Sequence, residues 1–434
     1  MTTNPRFFKY KIEGFFMRFL LLNIALLSSL FCFAQNSAKI HVQKLCDTSF
    51  FGRGYVDSGD YLAANYIKGQ FEEFGLNPVA SETYFQYFSL GVNTINDCEI
   101  SIQKKQLVAG VDYLISTISG SGSLSSKPVF LDSNEFKAKG FLKALSKLKP
   151  SDILMYRTPK ELKNELPTFL IDGQHQKLFS CGAIVELTTE KFTWSVGRKY
   201  SSIPCLKLKD SLFDKNAEVS IRIEQQFKAK YQSQNVVGEI KGSKYPNEYI
   251  VYCAHYDHLG KMGRNAVFRG ANDNASGTAM LLDLASFYSK PENKPEKSIL
   301  FIAFAAEEAG LVGSKYFVNN SPIPLASIKF LMNLDLVGFG EKGITVVNGK
   351  ELKEEFELLT AISDKNNLFT SIAARGAAPN SDHYPFWDKG VPCFFIYGRG
   401  GNTAYHDVHD VPENLTYEMY PNLFQLLVEF MGSF

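Results

Sequence analysis

Short apolar runs alternate with stretches of helical periodicity in the second half of the chain. The apolar runs, each long enough for one buried strand, are residues 236–240, 249–254, 299–305, 328–334, 344–347 and 391–396. The clearest helical stretches between them are residues 277–288 and 352–363. Strands separated by helices predict an α/β fold with a mainly parallel sheet and helices on both of its faces.

The first half of the chain differs in composition and in the periodicity of its apolar residues. Residues 58–76 have apolar positions at helical spacing and end at a glycine, and residues 83–102 have the alternation typical of strands. From residue 103 to 229, Ser, Gly and Lys become frequent and the short strand-like runs are not followed by clustered His or carboxylate residues. We therefore predict a mostly β accessory domain inserted at residues 103–229. Residues 35–102 and 230–434 would form the main domain.

The N-terminal segment has the pattern of a secretory signal. Four basic residues precede an apolar run at residues 19–34, which ends with the small residue Ala34. This predicts a signal peptide at residues 1–34 and export to the periplasm or the extracellular space. The alternative is a retained anchor, but the run is shorter than the ~20 residues that a membrane-spanning helix needs.

Composition excludes some classes of partner. The formal net charge of the 434 residues is +1, and removal of residues 1–34, with four basic residues and one acidic residue, would make it −2. Neither value favours binding to nucleic acid or to an anionic membrane. The length predicts two domains. Cys253 and Cys393 lie inside apolar runs, which indicates buried thiols.

Candidate metal ligands follow the predicted strands at their carboxyl ends. His255 and Asp257 come directly after the run 249–254, the pair Glu307 and Glu308 follows the run 299–305, and Asp335 follows the run 328–334. Two more candidates complete the set, Asp273 in the polar stretch 270–277 and His406 after the last strand. Ligands bind at this edge of open α/β sheets, so we expect these side chains to meet there.

The chemistry of this set favours zinc. Imidazoles combined with carboxylates suit Zn²⁺, whereas calcium and magnesium sites consist almost entirely of oxygen ligands. Two histidines and three carboxylates exceed the three protein ligands of one catalytic zinc ion, so two divalent ions sharing a carboxylate fit better. Of the adjacent Glu307 and Glu308, one is expected to bind metal and the other to transfer protons.

Five motifs in order carry a family resemblance. The segments AHYDHLG, GANDNASG, AAEEAGLVGS, NLDLVG and YHDVHDVPENL resemble the M28 family of zinc exopeptidases, whose best-known members are bacterial aminopeptidases. The resemblance covers residues 230–434, extends loosely over residues 47–100, and includes a weaker likeness of the predicted insert to a protease-associated domain.

Each site residue receives a role from this resemblance. It implies that His255 and Asp335 hold one zinc ion, that Glu308 and His406 hold the other, and that Asp273 bridges the two. It further implies that Glu307 is the general base and that Tyr405 helps to polarise the substrate carbonyl. Asp257 would accept the second ring proton of His255, and the peptide bond between Asp273 and Asn274 would be cis.

The predicted function is hydrolysis of N-terminal residues from peptides by an exported aminopeptidase. The alternatives are a carboxypeptidase or dipeptidase of the same family, a glutaminyl cyclase-like enzyme, and a peptidase-like binding module without activity. Glutaminyl cyclases lack the first histidine ligand, so His255 argues against them. His409 competes with His406 for the role of last ligand, and His258 can either line or cap the cleft.

Overall fold

The computed structural model describes a chain with one large sheet, a smaller five-stranded sheet and a two-stranded sheet. The residues that it describes are 36–79, 82–132, 141–162, 165–171, 179–401 and 403–434. The predicted signal peptide lies outside them. Within these ranges the strands are β1 (Asn77–Pro78), β2 (Phe85–Ile102), β3 (Lys105–Gln106), β4 (Tyr113–Ile115), β5 (Gly122–Ser126), β6 (Pro128–Leu131), β7 (Ile153–Arg157), β8 (Ala183–Thr188), β9 (Cys205–Lys209), β10 (Val219–Ile240), β11 (Tyr245–His255), β12 (Gly260–Met262), β13 (Ala266–Phe268), β14 (Lys297–Phe304), β15 (Ile328–Leu334), β16 (Ile344–Val347), β17 (Ile372–Arg375) and β18 (Cys393–Gly398).

Helices lie between several of these strands and at both ends of the described chain. They are α1 (residues 36–45), α2 (Gly59–Glu73), α3 (Phe141–Leu145), α4 (Glu165–Ile171), α5 (Ser276–Tyr288), α6 (Val312–Asn319), α7 (Lys353–Asn366), α8 (His383–Trp387) and α9 (Tyr420–Met431). The predicted helices at residues 277–288 and 352–363 correspond to α5 and α7. The predicted strand at residues 328–334 is β15, with the same bounds.

The large sheet is mixed, with a parallel centre. Its strand order is β17-β16-β18-β15-β11-β14-β10-β2-β3, and β1 and β5 also pair with β10. The pairs β14–β11, β11–β15 and β15–β18 are parallel, whereas β10 pairs with β14 and with β2 in antiparallel orientation. The parallel centre matters most for the site, because it aligns the carboxyl ends of four strands at one edge.

Both faces of the parallel centre are buried, as an α/β sheet requires. In β11, Ile250 and Tyr252 pack in the cluster that includes α2, α5 and α9, while Val251 and Cys253 pack in the opposite cluster with α6 and α8. The period-two alternation of a strand sends neighbouring side chains to opposite faces. The α/β fold class predicted from the sequence is confirmed.

The smaller sheet contains five strands from the predicted accessory region, in the order β4-β9-β8-β7-β6. One of its faces shares an apolar cluster with β2, β10, β12 and β13, and the other is covered by side chains of α3 and α4. Strand β10 runs through residue 229, the predicted end of the insert. The division of the chain into domains stays a prediction.

Candidate metal centre

The predicted metal ligands converge at the carboxyl ends of the parallel strands. His255 is the last residue of β11, Asp335 follows β15 directly, and Glu307 and Glu308 lie in the turn after β14. The loop after β18 brings His406 to the same place. Side chains from four strands thus reach one buried cleft.

One group of ligand atoms is formed by His255, Asp273 and Asp335. The Nε2 atom of His255 lies 3.4 Å from Asp273 Oδ1 and 3.4 Å from Asp335 Oδ1. All three residues are buried, and their ligand atoms are close enough to surround one ion. The Oδ2 atom of Asp335 accepts a hydrogen bond of 2.9 Å from Ser381 Oγ, which leaves Oδ1 for another contact.

The second group centres on Glu308. Its Oε2 atom lies 3.2 Å from His406 Nε2, and that same nitrogen lies 3.0 Å from Asp273 Oδ2. Asp273 therefore reaches both groups, one with each carboxylate oxygen. The Oε1 atom of Glu308 lies 2.9 Å from His258 Nδ1, and the ligand atoms of His258, Asp273 and Glu308 also lie close enough together for one ion.

Asp257 supports the turn that carries the two glutamates. Its carboxylate accepts hydrogen bonds from the backbone N–H groups of Glu307, at 3.1 Å, and Glu308, at 3.4 Å. His255 Nδ1 donates to the backbone carbonyl of Asp257 at 3.1 Å, whereas the carboxylate is 3.8 Å away. The expected acceptor of the ring proton was the carboxylate, and this detail needs correction: the carboxylate is occupied by the glutamate turn, so the ring bonds to the carbonyl.

The loop that carries Asp273 is fixed by buried hydrogen bonds. The carboxylate of Asp410 accepts from the backbone N–H groups of Asn272, at 2.9 Å, and Asp273, at 3.0 Å. The Asn274 side chain donates to Leu334 O at 2.9 Å, which ties the loop to the end of β15. The Asp273–Asn274 peptide is cis, as the resemblance implied.

A fully buried arginine joins the N-terminal segment to this loop. Arg53 donates from Nε to Tyr256 O at 2.7 Å, from Nη1 to Arg269 O at 2.6 Å and from Nη2 to Gly270 O at 2.7 Å. No carboxylate of the described residues lies within ion-pair distance of Arg53. The backbone carbonyls of Tyr256, Arg269 and Gly270 therefore hold this guanidinium in place.

The accessory region reaches the site through residues 191–194. Trp194 and His406 exchange two hydrogen bonds, since Trp194 N donates to His406 O at 2.9 Å and His406 Nδ1 donates to Trp194 O at 3.0 Å. Lys191 Nζ contacts Tyr405 O at 3.1 Å and the Asp407 carboxylate at 2.8 Å. The indole of Trp194 also stacks on Phe268, with ring centroids 4.6 Å apart. The candidate ligand His406 is thus oriented by a segment 212 positions earlier in the chain.

The carboxylates of the site favour positive charge on its imidazoles. Burial alone would lower the pKa of His255, but Asp335, Glu307 and Asp273 raise it well above its ordinary value. Burial also opposes protonation of His406, yet Glu308 and Asp273 raise its pKa to about 11. A cluster that draws protons onto buried imidazoles is one that would also attract a metal cation.

The pKa values of the two adjacent glutamates are shifted in opposite directions. Burial raises the pKa of Glu307 well above its ordinary value, against the lowering effect of His255. Burial would raise the pKa of Glu308 too, but His406 and His258 lower it well below the ordinary range. The surroundings of Glu308 thus favour its ionised form, and those of Glu307 favour its protonated form.

The residues present fit zinc. The set combines imidazole nitrogens with carboxylate oxygens, as zinc sites do. Asp335 Oδ1 is buried without a hydrogen-bond partner among the described residues, although buried carboxylate oxygens are seldom left unpaired. A cation between Asp335 and His255 would satisfy it.

The C-terminal loop carries two histidines and a tyrosine that differ in their position relative to the site. His409 is exposed, whereas His406 lies against Glu308 and Asp273. The Tyr405 ring stacks on the His406 ring, with centroids 3.9 Å apart. Partial burial and the nearby carboxylates raise the pKa of Tyr405 well above its ordinary value, so its hydroxyl stays a hydrogen-bond donor.

Several supporting residues were not assigned from the sequence. Asp410 lies in a run with another aspartate and two histidines, and nothing in that run separates its role from theirs. Arg53 lies between glycines in a loop, and Trp194 lies in the accessory region. Their contacts with the site depend on chain topology, for which the local pattern offers no signal.

Residues 235–431 match Peptidase family M28, in agreement with the resemblance seen in the motifs. Aminopeptidase YwaD of Bacillus subtilis (strain 168) is 31% identical over 190 residues, which cover 42% of this chain and 39% of that protein. Leupeptin-inactivating enzyme 1 of Streptomyces exfoliatus is 32% identical over 164 residues, which cover 36% and 34%. The chain thus spans between a third and two fifths of these relatives' length.

Solved structures share the fold over nearly the whole chain. A Peptidase M28 precursor from Shewanella amazonensis SB2B superposes with a TM-score of 0.68 at 18% identity, covering 94% of this chain and 96% of that one. A zinc aminopeptidase from Bacillus subtilis, BSAP, superposes with a TM-score of 0.66 at 20% identity, covering 91% and 94%. These likenesses establish the fold.

Among the described residues, no helix combines the length and the apolar character needed to cross a bilayer.

Proposed function

We propose that the chain is an exported zinc-dependent aminopeptidase that removes N-terminal residues from peptides. The observation that carries the proposal is the placement of Asp273, whose two carboxylate oxygens face two separate donor groups. His255 and Asp335 would hold one ion, and Glu308 and His406 the other. A shared carboxylate between two such groups is the arrangement expected of a two-metal hydrolytic site.

The metals and the chain have separate tasks in this mechanism. When bound, two zinc ions would supply Lewis acidity and lower the pKa of a water molecule toward neutrality. Glu307 accepts a proton from the attacking water and delivers it to the leaving amine, for which its raised pKa is suited. Asp257 holds the backbone of Glu307 and thereby aims its carboxylate. The hydroxyl of Tyr405 donates to the substrate carbonyl oxygen as negative charge develops on it.

Recognition of a free N-terminus follows from the charge of the site. An α-ammonium or amine group entering the cleft meets the carboxylates of Glu307, Glu308 and Asp273. An N-acetyl group would place a neutral amide there instead. This difference favours an aminopeptidase over a carboxypeptidase, in which the recognised terminus carries a negative charge.

The test compares peptides with free and acetylated N-termini, using protein purified without residues 1–34. We expect cleavage of the free peptides, its loss on acetylation and on chelation, and its return with zinc. Glu307→Gln should bind zinc normally and lose turnover by about 100- to 10,000-fold. Retained turnover in that variant would remove Glu307 from the role of base, and cleavage indifferent to acetylation would refute the aminopeptidase assignment.

Export has its own test. The full-length chain, expressed in a bacterium with an outer membrane, should be recovered from the periplasm or medium with an N-terminus at residue 35. Retention of residues 1–34 in the mature protein would contradict the predicted cleavage.

A further inference from the structure

A pocket of about 450 Å³ opens beside the candidate metal ligands, near the ends of β16 and β18. Its lining includes Asn272, Leu336 and Tyr405. These three residues are the direct chain neighbours of Asp273, Asp335 and His406. The pocket therefore adjoins the candidate metal centre, at the distance of one residue from three of its ligands.

Two positively charged residues, Lys342 and Arg399, line this pocket. Their backbones are paired, since Lys342 N donates to Arg399 O at 3.0 Å. Arg399 Nη1 donates to Ser371 Oγ at 3.2 Å. In the part of the chain that the structure describes, no carboxylate lies within ion-pair distance of either cation. Their charge is available to a ligand.

Further charged groups lie near this pocket. Arg375 Nη1 donates at 3.3 Å to the hydroxyl of Tyr397, which lines the pocket. The Glu341 carboxylate lies close to Gly401, since a Cβ atom built there would be 2.6 Å from its Oε1 atom. It forms no ion pair with Lys342, Arg399 or Arg375 among the described residues. The carboxylates of the candidate metal centre are also nearby, since they act on the hydroxyl of Tyr405 in the pocket wall.

The remainder of the wall is partly apolar. Phe339, Leu336 and Ala404 line the same pocket as the cations. A methylene chain that ends in a carboxylate would match this combination, since the chain packs on the apolar surface and the carboxylate reaches the guanidinium. Arginine binds carboxylates particularly well, because its planar fork can donate two parallel hydrogen bonds.

We propose that this pocket binds a carboxylate group of the peptide substrate. The proposal rests on the proposed peptidase function and names the substrate class for that site. Two sources could provide the carboxylate, namely the acidic side chain of an N-terminal Glu or Asp and the free C-terminus of a dipeptide. The chemistry of recognition is the same for both.

Two substrate pairs distinguish these sources. Glutamyl- and glutaminyl-p-nitroanilide differ only by the charge of the side chain, and leucyl-glycine and leucyl-glycinamide differ only by the terminal carboxylate. We expect the charged member of one pair to have a kcat/KM at least ~10-fold higher, because a charge-assisted hydrogen bond commonly contributes one to two factors of ten. The pair that shows the preference identifies the source.

Variants of the pocket connect the preference to its residues. Arg399→Gln and Lys342→Met should each reduce the ratio between charged and neutral substrate, mainly through KM, with the larger effect at the less exposed Arg399. Arg399→Lys keeps the charge and should retain part of the ratio. Lys353→Met, at the exposed start of α7, is the matched control and should leave the ratio unchanged. An unchanged ratio in both pocket variants would overturn the proposal.

The design separates failure of this inference from failure of the proposed function. Cleavage of neutral peptides without preference in either pair would refute the pocket and leave the peptidase intact. Absence of any cleavage by zinc-loaded protein would refute the proposed function. Calorimetry with glutamate hydroxamate and glutamine hydroxamate would then test whether the pocket binds a carboxylate. Tighter binding of glutamate hydroxamate supports the proposal, and equal affinities overturn it.

Discussion

Lys191 offers the sharpest test of how the accessory region serves the candidate metal centre. Its ammonium group contacts the backbone carbonyls of Thr403 and Tyr405 and forms an ion pair of 2.8 Å with Asp407, all in the loop that carries His406. Substitution of Lys191 by methionine keeps the aliphatic stem and removes these contacts. The two hydrogen bonds between Trp194 and His406 would remain.

The size of the effect follows from the exposure of the partners. The Lys191 side chain is 45% exposed and that of Asp407 is 8% exposed, so solvent screens only one end of the pair. A fully exposed pair contributes up to about 1 kcal/mol, and hydrogen bonds from a charged donor add to it. We expect about 1–2 kcal/mol in total. Because zinc must bind the ordered loop, this corresponds to an affinity about five- to thirtyfold weaker.

Competition with a chromophoric zinc chelator measures this affinity directly. Of the two zinc-binding steps expected for the protein, only the one that involves His406 should weaken in Lys191→Met. Lys207→Met is the matched control, since Lys207 is also about half exposed and pairs with a mostly buried carboxylate, Glu186, away from the site. Equal zinc affinities in Lys191→Met and wild type, or equal losses of affinity in the two variants, would refute the role of Lys191 in holding the loop that carries His406.

Three further predictions concern buried groups. Arg53→Met should lower the free energy of unfolding by at least about 3 kcal/mol in urea denaturation, because several buried carbonyls lose their donor; a loss below 1 kcal/mol would contradict this. His258→Ala should weaken one zinc-binding step by about 10- to 100-fold in the same competition assay, since His258 holds Glu308; unchanged affinity would make it a lining residue only. Burial raises the pKa of Asp283 to about 7 from 3.8, so its contribution to stability is complete below pH 3.8 and is lost as the pH rises toward 7. The stability of chelator-treated wild type relative to Asp283→Asn should therefore fall across that window, by up to about 1.4 kcal/mol per pH unit, in denaturation at several pH values; a flat difference would refute the buried-carboxylate assignment.

The central strands of the large sheet could be predicted because burial on both faces imposes apolar runs, whereas β17 and most of β10 were not predicted. Strand β15 has the predicted bounds, and β16 does as well. The strand order could not be predicted in the same way. Pairing of β10 with both β14 and β2 brings together residues that are far apart in the chain, and the alternation within each strand is compatible with several partners.

The ligand candidates could be predicted for a related reason. Polar and charged side chains directly after a buried strand differ in polarity from the apolar run that precedes them. They are therefore easy to recognise in the sequence. His255 and Asp335 are examples. The sequence could not tell which atom each would contact. The ring proton of His255 goes to the backbone carbonyl of Asp257, and only the three-dimensional turn after β14 explains why the carboxylate is already occupied.

The groups that hold the ligands in place were the hardest to predict, and the reason is physical. A ligand must have particular chemistry, whereas a supporting contact needs only a donor or an acceptor at the right position. Trp194 orients His406 with its backbone carbonyl, which any residue could supply. The specific feature is the position of that carbonyl, which depends on the packing of the Trp194 ring against Phe268. The accessory region thus acts on the candidate metal centre through its fold, and mutations in its packing should affect zinc binding as strongly as mutations beside the ligands.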